Sequence, residues 1–231
     1  MMPRVSIYDI GLIDYQEAWD FQEKLFKAAI DNKIAKRKDA EVPLPYNHML
    51  FCQHPHVYTL GKSGNKEHLL LDEDGLKDKK AMFYKINRGG DITYHGPGQL
   101  VVYPILDLEQ FFTDIHKYMR LLEEAVIRTI AVYGIKGERI DGMTGVWLEG
   151  GSKNERKICA LGVKASRWVT MHGIGFNVNT NLDYFRNIVP CGIEDKAVTS
   201  MQKELGSPQD IQEIQSVLLQ ELKGLFGFHV L

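Results

Sequence analysis

The chain has 231 residues, 44% hydrophobic, 25% charged and 10% aromatic, with 28 Lys+Arg against 30 Asp+Glu. This is the composition of an ordinary folded protein, which excludes disordered, fibrous and collagen-like classes, and a formal net charge of -2 carries no basic excess of the kind that marks a nucleic-acid binder. Apolar runs are too short to cross a bilayer, no secretory or transit segment precedes the first strand-like stretch, and three widely spaced cysteines do not make a disulfide framework. A cytoplasmic protein with free thiols, binding neither nucleic acid nor membrane, is the expectation.

Residues 5–10 read as a strand. Asp14 then caps a helix with Glu17 three residues on, and Tyr15, Ala18, Trp19, Gln22, Leu25, Phe26 and Ala29 keep the helical rhythm with only Gln22 polar. Residues 33–39 read as a charged helix end facing water. Residues 48–52 and 57–60 are short strands joined at His54, Pro55 and His56; the two imidazoles are best taken as loop histidines, since no thiol or acidic ligand stands beside them. Residues 62–80 form a polar surface excursion. Strands at 83–86 and 99–106 flank a segment dense in glycine, and an amphipathic helix over about 113–133 ends at Gly134. Strands follow at 146–148, 157–163 and 174–178, the last alternating as if one face were buried. Ser207 and Pro208 read as the N-cap and first turn of a final helix with Ile211, Ile214, Leu218, Leu222 and Leu225 inward. With no repeat, no linker and no strict βαβα alternation, residues 1–231 are expected to form one α/β domain of the α+β type, with mixed sheets and flanking helices.

Gly61-Lys62-Ser63 invites a phosphate-loop reading, but the required glycine five residues before Gly61 is replaced by His56, and the reading fails. The segment 88–98 places four glycines among Arg88, Asp91, Thr93, Tyr94 and His95, more than a turn needs, and is expected to line a ligand. Gly173 and Gly175, flanking Ile174, would share one strand face and leave a groove for a slender apolar chain; a close-packed strand crossing is the competing account. Cys52 and Cys159 lie in apolar runs and read as core. Cys191, between Pro190 and Gly192, is a thiol on a rigid turn and a candidate nucleophile, with His95, His172 and lysines as available bases.

Four ordered motifs, Arg88 to Gln99, Lys157 to Gly162, His172 to Asn177 and Pro190 to Gly192, resemble those of the lipoyl(octanoyl) transferases, relatives of the biotin– and lipoate–protein ligases. The resemblance implies a biotin/lipoate–protein ligase-like domain with a class II synthetase-related core. It implies transfer of an octanoyl group from acyl carrier protein to a lysine of lipoyl domains, on 2-oxoacid dehydrogenase complexes or the glycine cleavage H protein, without cofactor, ATP or metal. The catalytic cysteine falls on Cys191 and the catalytic lysine on Lys157, while Lys164 is a bystander. Substrate contacts fall on Arg88, Gly89, Gly90, Asp91, Ile92, Thr93, Tyr94 and His95, on Ala160, Leu161 and Gly162, and on Gly173, Ile174 and Gly175. The backbone around Leu161 and Gly162 is the expected oxyanion hole, with His95 as a helper. Residues 149–155 match no motif and read as a surface turn. Lys62, Lys66, Arg88, Lys153, Arg156, Lys164 and Arg167 are expected to form a basic rim for acidic partners.

Overall fold

The computed structural model describes residues 2–189 and 197–231, so Cys191 lies outside the described residues. The elements run β1 (Arg4–Leu12), α1 (Tyr15–Lys38), β2 (Asn47–Gln53), β3 (Val57–Leu60), α2 (Glu73–Asp78), β4 (Met82–Lys85), β5 (Ile92–His95), β6 (Gln99–Ile105) and α3 (Ile115–Val132). They continue with β7 (Glu138–Ile140), β8 (Met143–Leu148), β9 (Arg156–Ser166), β10 (Val169–Asn177), β11 (Ala197–Val198), α4 (Met201–Leu205), α5 (Ile211–Phe226) and β12 (His229–Val230). Among the described residues the main sheet has the order β12-β1-β2-β6-β10-β9-β8-β7, with β11 beside β9, and a second sheet has the order β4-β3-β5. Parallel pairs (β1–β2, β3–β4) and antiparallel pairs (β6–β10, β9–β10) coexist, as the mixed-sheet expectation requires.

Two helical layers cover the main sheet. On one face Leu100, Val102, Ile174 and Phe176 pack against Leu122 and Val126 of α3 and Leu218 and Leu222 of α5. On the other, Leu50, Val101, Tyr103 and Met171 pack under Ala18, Phe26 and Ala29 of α1. Strand β10 is therefore buried on both faces, whereas its alternation predicts one; residues 169 and 171 meet α1 while 174 and 176 meet α3 and α5. Strands β2 and β3 turn out to belong to different sheets, so the short link containing His54 carries the chain from one layer to the other.

Capping follows local chemistry. Asp14 accepts the amides of Gln16 and Glu17 at 2.8 and 3.4 Å, and Gly134, at φ +78, ends α3. The last helix starts later than predicted: Asp210, not Ser207, accepts the amides of Gln212 and Glu213. The excursion 62–80 is not wholly at the surface either, since Leu69, Leu71 and Leu76 pack on the small sheet.

The clearest departure is Lys33. Read from sequence as solvated, it is 6% exposed and paired with the buried carboxylate of Asp107, with Glu109 Oε2 at 3.1 Å. Asp107 also accepts the amide of Glu109 at 3.3 Å and the side-chain amide of Gln110 at 3.3 Å, so the pair bolts α1 to the chain leaving β6. Removing one member strands a buried charge. Lys33→Met is expected to lower the free energy of urea unfolding by about 3 kcal/mol, and Lys33→Met with Asp107→Asn to recover part of it. An unchanged unfolding midpoint for the single variant contradicts this.

Candidate active site

The segment after β4 docks edge-on against β9. Gly89 donates its amide to the carbonyl of Val163 at 2.9 Å, and the Arg88 guanidinium reaches Thr59 O at 2.8 Å, Thr59 Oγ1 at 3.1 Å and Gly89 O at 3.0 Å. Arg88 is only 8% exposed, so it staples the loop as well as lining the site. The approach is close enough that a Cβ on Gly61 would stand 2.2 Å from Gly90 O, which explains the glycine that a phosphate-loop reading leaves without purpose.

Between this loop, β8 and β9 lies a cavity of about 530 Å³, lined by Arg88, Gly89, Gly90, Asp91, Ile92, Thr93, Lys157, Ala160, Leu161 and Gly162 of the sequence-predicted set. Apolar residues such as Met119, Met143, Trp147, Phe185 and Val198 make up much of the remaining wall. Met119 and Trp147 fall in an ordinary predicted helix and strand, and no motif singles out the others, so no local signal distinguishes them. Its size suits a small-molecule chain. Deeper in, a chamber of about 40 Å³ shares Arg88, Thr93, Ala160, Leu161 and Gly162 and adds His95, Gly173, Ile174 and Gly175, with Tyr15, Tyr103 and His172. Three of the expected contacts change meaning. Tyr94 is not brought to either cavity: strand alternation turns it away from Thr93 and His95, and its hydroxyl bonds His56 Nδ1 at 2.7 Å. Gly173 serves the strand crossing, because a Cβ there would meet Val102 O at 2.3 Å; at Gly175 the space is taken by the His95 ring, with Cε1 at 3.4 Å.

Lys157 stands near the start of β9 with its Nζ 4.4 Å from the centre of the Trp147 ring, its cross-strand partner, in a cation–π contact. Lys164 is held by Glu23 at 3.2 Å and lies over the Phe26 ring. Cys52 and Cys159 are buried, and burial pushes both thiols up, away from the nucleophilic thiolate. The chain leading to segment 190–196 is firmly seated: Tyr184 stacks on His56 at 4.0 Å and on Tyr94 at 4.9 Å, Tyr58 donates to Tyr184 O at 2.9 Å, and Val189 donates to His68 O at 2.9 Å. His68 pairs in turn with Asp91 at 2.5 Å, joining this approach to the acyl-loop candidate.

The expected basic rim is only partly available. Arg156 is paired with Glu149 and Glu204, both at 2.6 Å, Lys164 with Glu23, and Arg88 is buried in the loop; Lys62, Lys66, Lys153 and Arg167 are exposed. Residues 149–155 do form a turn, between β8 and β9, with Glu149 holding Arg156.

Three imidazoles behind the chamber are neutral, with tautomers set by directional hydrogen bonds. Gln99 donates to Tyr94 O and to Asn177 Oδ1, and Asn177 donates to Thr199 O, so Gln99 Oε1 must accept from His95 Nδ1, at 2.6 Å. His95 Nε2 therefore carries a lone pair and has no proton to give, which removes His95 as a helper in an oxyanion hole. Asn87 donates to Glu23, so its Oδ1 accepts from His172 Nε2 at 2.8 Å, and His172 Nδ1 is left as a buried acceptor. His172 also holds a left-handed backbone, φ +59, inside β10, a conformation costing about 1–3 kcal/mol, stabilised here by its amide donating to the otherwise anomalous Gln22 at 2.9 Å. His54 donates from Nδ1 to Ile13 O and accepts from Tyr103.

Burial pushes these rings down to about 4 for His54, about 3 for His95 and about 3 for His172, the last two aided by nearby positive or imidazole groups. In the unfolded chain each takes up a proton near pH 6.5. Stability is then complete above that pH and falls as pH drops from 6.5 towards 4, with a slope approaching about 4 kcal/mol per pH unit for three protons. Urea unfolding between pH 7 and pH 5 is expected to show this loss together with net proton uptake; a flat profile contradicts three buried neutral imidazoles.

The family description "Lipoyl protein ligase A/B catalytic domain" matches residues 14–223. An octanoyltransferase of Christiangramia forsetii is 59% identical over 228 residues, covering 98% of this chain and 97% of that one. Among solved structures, lipoate-protein ligase A bound with ATP superposes with a TM-score of 0.69 at 16% identity, covering 100% of this chain and 88% of that one. The bipartite lipoate protein ligase of Thermoplasma acidophilum, solved in a study that includes its E2 lipoyl domain, gives 0.67 at 17% identity, with coverage of 100% and 86%. At such identities the structural matches speak for the fold, which is that of the lipoate ligases, while the sequence match speaks for the activity. The chain belongs to the lipoyl protein ligase A/B catalytic-domain family and, within it, to the octanoyltransferases, which makes it an acyltransferase.

Proposed function

We propose that residues 1–231 act as one catalytic domain that takes an octanoyl group from the phosphopantetheine thioester of acyl carrier protein. The group is held on Cys191 and delivered to a lysine of a lipoyl domain, on a 2-oxoacid dehydrogenase complex or the glycine cleavage H protein. The observation that carries the reading is Lys157 in the wall of a mainly apolar cavity that residues 88–93 also line. Phe185 and Ala197, described residues on either side of segment 190–196, line the same cavity, which supports pairing Cys191 with Lys157. The study of the Thermoplasma ligase includes an E2 lipoyl domain, which supports an acceptor of that class.

Each group has a defined task. Lys157, as an ammonium ion, favours the Cys191 thiolate. The thiolate attacks the octanoyl carbonyl, a new C–S bond forms, and the pantetheine C–S bond breaks, the departing sulfur taking a proton from Lys157. Neutral Lys157 then accepts a proton from the acceptor amine as that nitrogen attacks the acyl-cysteine, expelling the Cys191 thiolate and leaving an amide. Thioester exchange is nearly isoenergetic and amide formation is downhill, so the sequence of steps uses no nucleotide.

The negative charge that builds on the carbonyl oxygen needs N–H donors. Residues two apart on a strand direct their backbone groups to the same edge, and Val163 O receives Gly89 from that edge. Leu161 projects its amide to the same edge, beyond the last β8 pairing at Cys159, and so opens on the cavity. Leu161 N–H is our candidate oxyanion donor. Arg88, Gly89, Gly90, Asp91, Ile92 and Thr93 would flank the acyl chain, with Ala160, Leu161 and Gly162 beneath it and His95, Gly173, Ile174 and Gly175 closing the inner end.

Intact-mass analysis after mixing with octanoyl-acyl carrier protein is expected to give one octanoyl adduct, mapped to the peptide containing Cys191 and discharged by a lipoyl domain. Cys191→Ala should fold and form none, and Lys157→Ala should slow both acylation and transfer by at least about a hundredfold. An adduct on Cys52 or Cys159, or wild-type rates in Lys157→Ala, contradicts the assignment.

A further inference from the structure

We infer that Glu123, on α3, is a positioning residue for Lys157, acting through the backbone amide of Gly145; the inference rests on the reading of Lys157 as the catalytic amine. Glu123 is 1% exposed. Its Oε1 accepts the amide of Gly145 at 2.9 Å, while Oε2 accepts Arg120 at 2.7 Å and Arg139 Nε at 3.2 Å. Arg139 is itself tied to Glu124 Oε2 at 2.6 Å and to Arg120 O at 2.9 Å. The carboxylate thus has both oxygens engaged from three directions and cannot swing. A packing contact between α3 and β8 would need only apolar side chains, and burying the Glu123 carboxylate carries a desolvation cost that such packing avoids. What the carboxylate supplies, and an apolar residue could not, is an acceptor for one particular amide.

That amide sits where β8 and β9 fall out of step. Val146 pairs with Cys159 but Trp147 with Lys157, so β9 carries an extra residue between them. A bulge of this kind re-aims the neighbouring side chain and takes backbone groups out of the ladder. Gly145, next to it, adopts φ +127, and a Cβ added there would stand 2.7 Å from Cys159 O and 3.3 Å from Lys157 Cε. The arm of Lys157 passes Gly145 in the space that a side chain would fill and continues to the face of Trp147. The opposing influences of Glu123 and Lys157 on the Cys159 thiol reflect the same proximity. Glu123 therefore fixes Gly145, Gly145 fixes the bulge and the channel beside it, and the channel fixes the direction in which the amine enters the cavity.

The test measures octanoyl transfer from octanoyl-acyl carrier protein to a lipoyl domain, with kcat and KM expressed per folded molecule from near-ultraviolet circular dichroism. Glu123→Gln keeps one carbonyl acceptor, for which Gly145 competes with Arg120 and Arg139, and is expected to lose clearly less kcat than Glu123→Met. Glu123→Met removes the acceptor, and kcat should fall by about ten- to a hundredfold while KM for the donor stays within about twofold. Gly145→Ala should reproduce that loss, and it carries the test if Glu123→Met does not fold. Wild-type kcat in Glu123→Met or Gly145→Ala, or equal losses in Glu123→Gln and Glu123→Met, overturns the inference. Lys157→Ala, run in parallel, separates the two readings: if it keeps full kcat, the role of Lys157 itself fails, whereas its loss beside an unaffected Gly145→Ala removes only Glu123.

Discussion

The edge of β9 beyond Cys159 is the constraint around which the site is built. Strand β8 pairs with β9 only as far as Cys159, and further along Gly89 reaches the same edge to bond Val163 O. Between these two attachments the strand runs past the cavity with Leu161 and Gly162 in its wall. A sheet edge in a protein interior is tolerable only if its polar groups find partners. An enzyme that stabilises a developing oxyanion can instead leave such an edge open to its substrate. The glycines of the 88–98 segment and Gly61 let a second layer come close enough to roof this edge without filling it.

Behind the cavity the imidazoles are polar but uncharged, with the buried Arg88 guanidinium as the cation beside them. His54, His95 and His172 are each held in a single tautomer by acceptors and donors whose own directions are dictated by backbone carbonyls or by the Glu23 carboxylate. Neutral rings with assigned protons give the inner wall fixed hydrogen-bonding character while avoiding the cost of buried charge. Elsewhere buried charges are paired, as in Lys33–Asp107 and Glu123 with Arg120 and Arg139, where each joins a helix to the sheet. In the first of these the helix end of the contact, Lys33, is a charge that local pattern assigns to water.

Periodicity sees one element at a time, and this explains which expectations held. The helices over residues 15–38 and 115–132, the mixed sheets and the glycine-rich loop are legible because each follows from a local rhythm or a local backbone need. Lys33 departs from its local pattern because its partner lies 74 positions away, and α5 starts late because Asp210, a competent cap like Ser207, takes the Gln212 and Glu213 amides. Tyr94 looked like a ligand contact because it sits among residues that are; the pleat of β5 turns it into the aromatic stack that seats Tyr184. His95 was a fair donor on paper until Gln99 and Asn177 determined where its proton lies.

By itself the order of residues determined the class of fold, the family, and the motif positions that can carry acyl transfer, because these depend on side-chain chemistry at short range along the chain. Tertiary structure alone decided which faces those residues present, which imidazole nitrogen bears a proton, and that a glutamate on α3 governs an amide beside Lys157. Such facts depend on register and on contacts between segments distant along the chain. Coulomb, steric and hydrogen-bonding forces act over a few ångströms of space, and no local pattern records which distant segment will occupy that space.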